Sequence, residues 1–259
     1  MRIVVLVKQV PRDINVTLNR DFTVNREGIE KITNPADVSA LAMAAGVRER
    51  YGGQIACMTM GPKSAIECLR EAALSGANEL YHLCDPAFAG SDTLITAHIL
   101  STAINMTGGA DLILCGRHAI DAETGQVGPE ISVMLGLSCI THVTEITEIK
   151  ADRLMCYRFT GSETQLFSVK LPVLVSVCDF FVPPLLPTMA RMRMASSIPI
   201  NTLTAKDLNL VGLTGRENSP TRVERVYTHE RQRRKATFLS PEEGLRKIAD
   251  ILCCGNNKT

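Results

Sequence analysis

Fifteen residues at 116–130, GRHAIDAETGQVGPE, carry the clearest chemical signal in the chain. Gly125 and Gly128 expose backbone N–H groups, Thr124 and Gln126 offer side-chain donors, and Pro129 fixes a helix entry. An apolar run, DLILC at 111–115, precedes this stretch, and a second, ISVMLGL at 131–137, follows it. The order reads strand, polar glycine-rich loop, helix start. Such a loop lies at the carboxyl edge of a parallel sheet, where open α/β folds place their ligands. Bare amides and the positive end of a helix make a phosphate the natural guest. The same residues also make a plain strand-to-helix connection, and the loop by itself leaves both readings open.

Three companion segments favour the binding reading. GSDTLITA at 90–97 starts another helix after a strand, and Thr93 and Thr96, three residues apart, share one face of its first turns. Their hydroxyls can supplement the helix terminus in holding a phosphate; the alternative is simple capping by Ser91 or Asp92. The segments VKQVP at 7–11 and MTMGP at 58–62 end two further strands on the same sheet edge, and Gly61 lets a flat ring lie close to the backbone. Four loops converging on one crevice suit a nucleotide, with adenine over the strand ends and phosphates at the helix starts. Asp121 and Glu123 would repel a phosphate unless they point elsewhere, for instance to hydroxyls or to backbone amides. His118 adjoins the loop and could touch a ligand; the other histidines read as surface or packed residues. There is no GxGxxG after the first strand, no GxxxxGK[ST] and no GxSxG elbow. No acid–base pair suits substrate turnover, so no catalytic residue is expected.

The elements that position these loops alternate through the first two-thirds of the chain. Residues 2–9 read as a continuous apolar strand. Pro35–Tyr51 reads as a helix with Asn34 as N-cap and Pro35 at its first position. Strands at Gln54–Met60, Glu79–Leu83 and 111–115 alternate with helices at 63–74, 92–106 and 127–137. Wholly apolar strands separated by such helices imply a doubly wound parallel sheet in a three-layer α/β sandwich. Residues 141–150, 153–160 and 165–170 then alternate with period two, an antiparallel meander, before the apolar strand 171–177. Beyond Cys178 the pattern thins into an extended C-terminal arm, closed by a helix at 240–252 with Ser240, Pro241 and Glu243 forming its start. The expected organisation is a nucleotide-binding domain at 1–185 and a partner-wrapping arm at 186–259.

With 28 basic and 27 acidic residues the net charge is +1, which gives no electrostatic case for nucleic acid or an anionic membrane. Aromatic content is 4% with no Trp, which argues against a base-stacking surface. The apolar N-terminal run is too short for a membrane span and meets Lys8 and Pro11 at once, so neither membrane insertion nor a signal peptide is expected. The nine cysteines sit mostly in apolar runs without a CxxC pair, which suits reduced thiols in the cytoplasm and no metal.

Taken in order, VKQVP at 7–11, Asn34-Pro35, Met60-Gly61-Pro62, LREAALSGA at 69–77, GSDT at 90–93, DLILCG at 111–116, AID at 119–121, TGQVGP at 124–129 and Leu171-Pro172 resemble the small (beta) subunit of the electron transfer flavoproteins across most of the chain. The resemblance implies a heterodimer with a larger alpha subunit that carries an FAD, and a second nucleotide, either AMP or FAD, in the beta subunit. It implies a pocket made by Leu6, Asn34, Met60, Thr93, Thr96, Asp121, Thr124, Gly125, Gln126, Val127 and Gly128. The TGQVGP form is similar to the FAD-holding branch, whose members often bifurcate electrons from NADH; the AMP-type branch has Asn-Gln-Thr where this chain has Gly125-Gln126-Val127. The resemblance also implies a recognition loop at 184–189, with Leu186 and Met189 docking an acyl-CoA dehydrogenase-type flavoenzyme; the alternative is that these side chains pack on the alpha subunit. The chain departs from the family's usual Asn-x-Pro-Arg, carrying Asp179-Phe-Phe-Val182 there. The basic run 231–235 reads as a solvated or subunit-contacting arm.

Overall fold

A computed structural model describes residues 1–12, 30–224 and 236–255. Chain contacts divide it into two compact units, Met1–Glu224 and Arg225–Thr259. The basic run 231–235 lies outside the described residues.

The first unit is built on strands β1 (Arg2–Leu6), β2 (Gln9–Pro11), β3 (Lys31–Thr33), β4 (Gln54–Met60), β5 (Glu79–Leu83), β6 (Leu112–Gly116), β7 (Ser138–Lys150), β8 (Arg153–Phe159), β9 (Thr164–Lys170), β10 (Val173–Val177) and β11 (Ile200–Leu203). Its helices are α1 (Pro35–Tyr51), α2 (Ile66–Leu74), α3 (Thr93–Met106), α4 (Val127–Leu135) and α5 (Met189–Ser197). A nine-stranded sheet runs β11-β5-β4-β1-β6-β10-β7-β8-β9, parallel from β11 to β7 and antiparallel through β8 and β9; β2 and β3 form a separate antiparallel pair.

The apolar strands are covered on both faces, and the two faces alternate residue by residue. Ile3 and Val5 of β1 join a core with α1, α2 and Ala195 of α5. Val4 and Leu6 join a second core with α3, Ile131 of α4, and Ala205, Leu208 and Leu210. This is the expected three-layer α/β sandwich. After β1 the chain adds strands outward through β4 and β5, then returns to place β6 on the other side of β1. The carboxyl ends of β1 and β6 therefore flank a topological switch point, where an open sheet leaves a crevice.

Several local details differ from the sequence reading. Asn34 makes no side-chain cap on α1; its amide is used elsewhere. Helix α3 is capped by Asp92, which accepts from Ile95 N at 3.0 Å, while the Ser91 hydroxyl donates back to Phe88 O. Strand β7 starts earlier than the period-two pattern, because its first residues pair in parallel with β10 before the strand turns to β8. Helix α5 and strand β11 lie where the pattern thins. Helix α5 buries only Ala195, so it lacks an apolar stripe, and β11 is a four-residue edge strand whose partner β5 is remote in sequence. Thr188 caps α5 through Arg191 N at 3.2 Å.

In the second unit the described residues form helix α6 (Pro241–Gly255). Its capping box is the expected one: Glu243 Oε2 accepts from Ser240 N at 3.0 Å and Oγ at 2.8 Å, and Glu243 N donates to Ser240 Oγ.

Candidate functional site

The switch-point crevice is organised by two side chains from the start of α1. Asp37 is buried, and its carboxylate accepts from Lys8 N at 2.8 Å and Gly116 N at 2.9 Å, tying the carboxyl ends of β1 and β6 to one helix. Burial pushes its pKa up to about 7, against the opposing pull of Asn34, the two amides and the Lys8 charge. Asn34, also buried, donates from Nδ2 to His118 O at 2.8 Å and accepts from Ile120 N at 3.2 Å through Oδ1. It grips the loop after β6 instead of capping its own helix. His118 thus enters through its carbonyl, held by Asn34.

The loop itself bends through Glu123 at φ 52° and Gly125 at φ 62°. The left-handed conformation at Gly125 is one that L side chains rarely adopt. Asp121, which must avoid any phosphate, turns its carboxylate to Lys8 Nζ at 2.8 Å. The acid beside the site is thereby neutralised by a lysine from β1's end, a partner the sequence reading did not name.

Helices α3 and α4 bring their first turns together at the same edge. Thr93 Oγ1 lies 3.2 Å from Gln126 Oε1 and 3.1 Å from Glu130 Oε1. Glu130 Oε2 is buried and, among the described residues, has no hydrogen-bond partner. The first-turn amides of α4, Val127 and Gly128, precede any helical carbonyl that could take them. Thr96 donates its amide to Asp92 O at 2.9 Å, within the first turn of α3. Leu6 ends β1 and Met60 ends β4; Gly61 follows, its carbonyl 3.1 Å from His82 Nε2. Thr124 is exposed on the loop.

The structure therefore brings Asn34, Asp121, Gln126 and Thr93 into direct contact with neighbouring site segments, and places Leu6, Met60, Thr96, Thr124, Gly125, Val127 and Gly128 along the same sheet edge. Leu186 and Met189 stand at a different position, before and at the start of α5, with Leu186 86% and Met189 69% exposed. Sequence reasoning missed Asp37, Lys8 as a charge partner, and Glu130. One signal was available for Asp37: a lone acid in the first turn of the otherwise apolar helix PADVSALAMAA.

These features define an open α/β protein whose loops gather at the switch point of a mostly parallel sheet, without a P-loop or dinucleotide fingerprint. A family model described as the electron transfer flavoprotein domain matches residues 21–208. The chain is 39% identical over 244 residues to the electron transfer flavoprotein subunit beta of Thermoanaerobacterium thermosaccharolyticum, covering 92% of each chain. It is 34% identical over 262 residues to protein FixA of Bradyrhizobium diazoefficiens, covering 97% of this chain and 91% of the relative. It is 35% identical over 231 residues to the caffeyl-CoA reductase-Etf complex subunit CarD of Acetobacterium woodii, covering 88% of each. The chain belongs to the electron transfer flavoprotein family, and electron transfer is its functional class. Among the described residues no helix is long and apolar enough to cross a membrane.

Proposed function

We propose that the chain is the beta subunit of a heterodimeric electron transfer flavoprotein, holds FAD in the switch-point crevice, and passes electrons to or from an acyl-CoA dehydrogenase-type partner through the exposed loop at Leu186. The observation that carries the cofactor assignment is the buried, unpartnered oxygen of Glu130 beside Thr93 and Gln126. A buried acceptor without a donor is costly, and a ligand hydroxyl or N–H supplies one. Thr93 and the α4 amides would hold the cofactor's polar chain, Gly125 would let the loop close on it, and Asn34 and Asp37 would keep the loop in place. A bound flavin supplies one- and two-electron redox chemistry. The chain's own part is to position the cofactor, exclude water and set a positive local potential with the starts of α3 and α4. Nothing in the crevice calls for an acid or base of the chain's own. The name of one relative, a subunit of a caffeyl-CoA reductase-Etf complex, supports a CoA-ester-processing enzyme as partner. NADH as electron donor in a bifurcating assembly is part of the proposal and rests on the resemblance of the TGQVGP loop alone; the cytoplasm as location rests on the cysteine pattern.

A second reading is a beta subunit that holds AMP at the same place and passes no electrons itself. Co-purification with the alpha subunit followed by flavin and nucleotide analysis separates the two. We expect about two FAD per heterodimer, and one FAD plus one AMP would establish the second reading instead. A chain that stays monomeric and binds neither would end both.

The docking assignment has its own test. Leu186→Ala is expected to slow electron transfer to the dehydrogenase about tenfold or more, because a small number of exposed apolar anchors dominates such contacts. Flavin content and heterodimer yield should not change; a loss of either would make Leu186 a subunit-packing residue.

A further inference from the structure

Between β11 and Glu224 the chain runs without a strand or an α-helix. Irregular segments of that length are uncommon and usually functional. The first part is held by apolar contacts, since Ala205, Leu208 and Leu210 join the core that carries α3. The second part, 211–221, adds no side chain to either core, and its two buried side chains, Thr214 and Ser219, are polar. This part instead grips, by hydrogen bonds, the loop 85–92 that leads into α3.

Two aspartates at the ends of that loop each divide their oxygens between a local cap and the remote segment. Asp85 accepts from Ala87 N through Oδ1 at 2.9 Å and from Ala205 N through Oδ2 at 3.0 Å. Asp92 caps α3 through Oδ1, while its Oδ2 accepts from Thr221 N at 3.0 Å and from Thr221 Oγ1 at 2.7 Å. Between these ties, Thr214 Oγ1 donates to Ala87 O at 3.0 Å, Gly215 N to Ser91 Oγ at 3.1 Å, and Asp92 N to Ser219 Oγ at 2.9 Å. Gly215, at φ 81°, lies so close to the loop that a Cβ would meet Ala87 O at 2.7 Å. Partial burial would raise the Asp92 pKa, yet Ile95 N and both Thr221 donors hold it below the usual carboxylate range. The acceptor is therefore ionised, and its bonds are charge-assisted.

Asp92 immediately precedes Thr93, the first residue of α3, whose hydroxyl reaches Gln126 and Glu130 at the start of α4. A shift of the Asp92 carboxylate therefore disturbs both the α3 cap and the contact between the two helix starts. We propose that Thr221 and Asp92 are positioning residues of the crevice: Thr221, just before the boundary between the two units, fixes through the Asp92 carboxylate where Thr93 stands, and with it how tightly the nucleotide is held. This role rests on the nucleotide reading of the crevice given above.

The test follows the loss of bound nucleotide from the full chain joined to its alpha subunit, and amide exchange from Asp92 to Thr96 in the full chain alone. Thr221→Val keeps the shape of the side chain and removes its hydroxyl. Asp92→Asn keeps a residue type suited to a helix cap but sets an NH2 group where Thr221 needs an acceptor. A purely local cap predicts no effect from that change. Instead, each variant is expected to release nucleotide about three- to tenfold faster, with faster exchange from Asp92 to Thr96. Thr221→Ser is expected to restore the natural rate, and the double variant to be no worse than the stronger single one, since both changes break the same tie. Melting temperatures should stay close to that of the natural chain, because Ala205, Leu208 and Leu210 remain buried. Natural retention in Thr221→Val or Asp92→Asn, additive losses in the double variant, or a Thr221→Ser protein that leaks as Thr221→Val does would overturn the proposal. A natural heterodimer with no nucleotide in the crevice ends the nucleotide reading instead. Exchange in the chain alone then decides the tie, and unchanged protection from Asp92 to Thr96 in both variants overturns it.

Discussion

The natural chain is expected to lose stability as pH rises from about 5 to about 8, and Asp37→Asn to abolish that loss. The carboxyl is buried, and its pKa rises from 3.8 to about 7. In that window the folded state keeps a proton that the unfolded state has released, so this group's contribution is full at low pH and declines as pH rises toward the folded value. The part of the shift above about pH 5 corresponds to about 3 kcal/mol, at 1.36 kcal/mol for each unit. Asparagine has the shape of the protonated acid and cannot ionise, so the difference between the two proteins isolates Asp37 from carboxyls that shift the other way, such as Glu79 beside Arg2. Urea midpoints measured across the window give the answer. The stability of the Asn variant relative to the natural chain should rise with pH across the window; a relative stability that stays flat, or falls as pH rises, would mean that the two amides and Lys8 overcome burial and hold the carboxylate ionised. Asp37→Ala should do more harm at every pH, because the amides of Lys8 and Gly116 would lose their acceptor at about 1–3 kcal/mol each. Nucleotide retention should fall with it, since the ends of β1 and β6 are no longer tied to α1.

Gly116→Ala is expected to be strongly damaging. A Cβ built there meets Asp37 Oδ1 at 2.3 Å, Ala36 Cβ at 2.7 Å and the Ala36 carbonyl carbon at 3.0 Å. Only a flexible side-chain tip could yield at such distances, and here a helix backbone and a doubly bonded carboxylate stand in the way. Overpacking of this kind costs about 1–3 kcal/mol when the core can adjust; added to a broken Asp37 clamp it should reach the upper end or beyond. Gly46 is the control, since a Cβ there meets nothing within 4 Å and its helical backbone accepts alanine. Thermal melts of the two variants side by side should show Gly46→Ala at or above the natural chain and Gly116→Ala well below it, with bound nucleotide lost in the second alone. A Gly116→Ala protein that melts normally and keeps its nucleotide would show that α1 can move away from β6 without cost, and the clamp would then have no role in the site.

Much of this molecule was written locally. The helix Pro35–Tyr51 and the strands Gln54–Met60 and Glu79–Leu83 appear at their expected limits, because apolar runs, an opening proline and closing glycines act over a few residues. The meander was visible in its period-two alternation, and the Ser240–Glu243 capping box in its spacing of three. The motif series from VKQVP to TGQVGP indicated the family, since several short patterns in fixed order are rarely accidental. Helix α5 was hidden because Met, Arg and Ser alternate there without an apolar face, and β11 because a short edge strand buries too little to leave a pattern.

What the linear order could not disclose is which remote groups would meet. Asn34 has the ideal residue type for a helix cap, and its amide is spent on His118 and Ile120 more than 80 positions away. Lys8 and Asp121, 113 positions apart, become neighbours only because β6 returns to lie beside β1. The carboxylate of Asp37 finds Gly116 at a separation of 79 for the same reason. Periodicity, caps and glycines are set by interactions within a few residues, and so the chain by itself determined its elements, its layer architecture and its family. Strand order is set by how those elements pack together, and only that packing decided which side chains meet at the switch point and which charges are neutralised there.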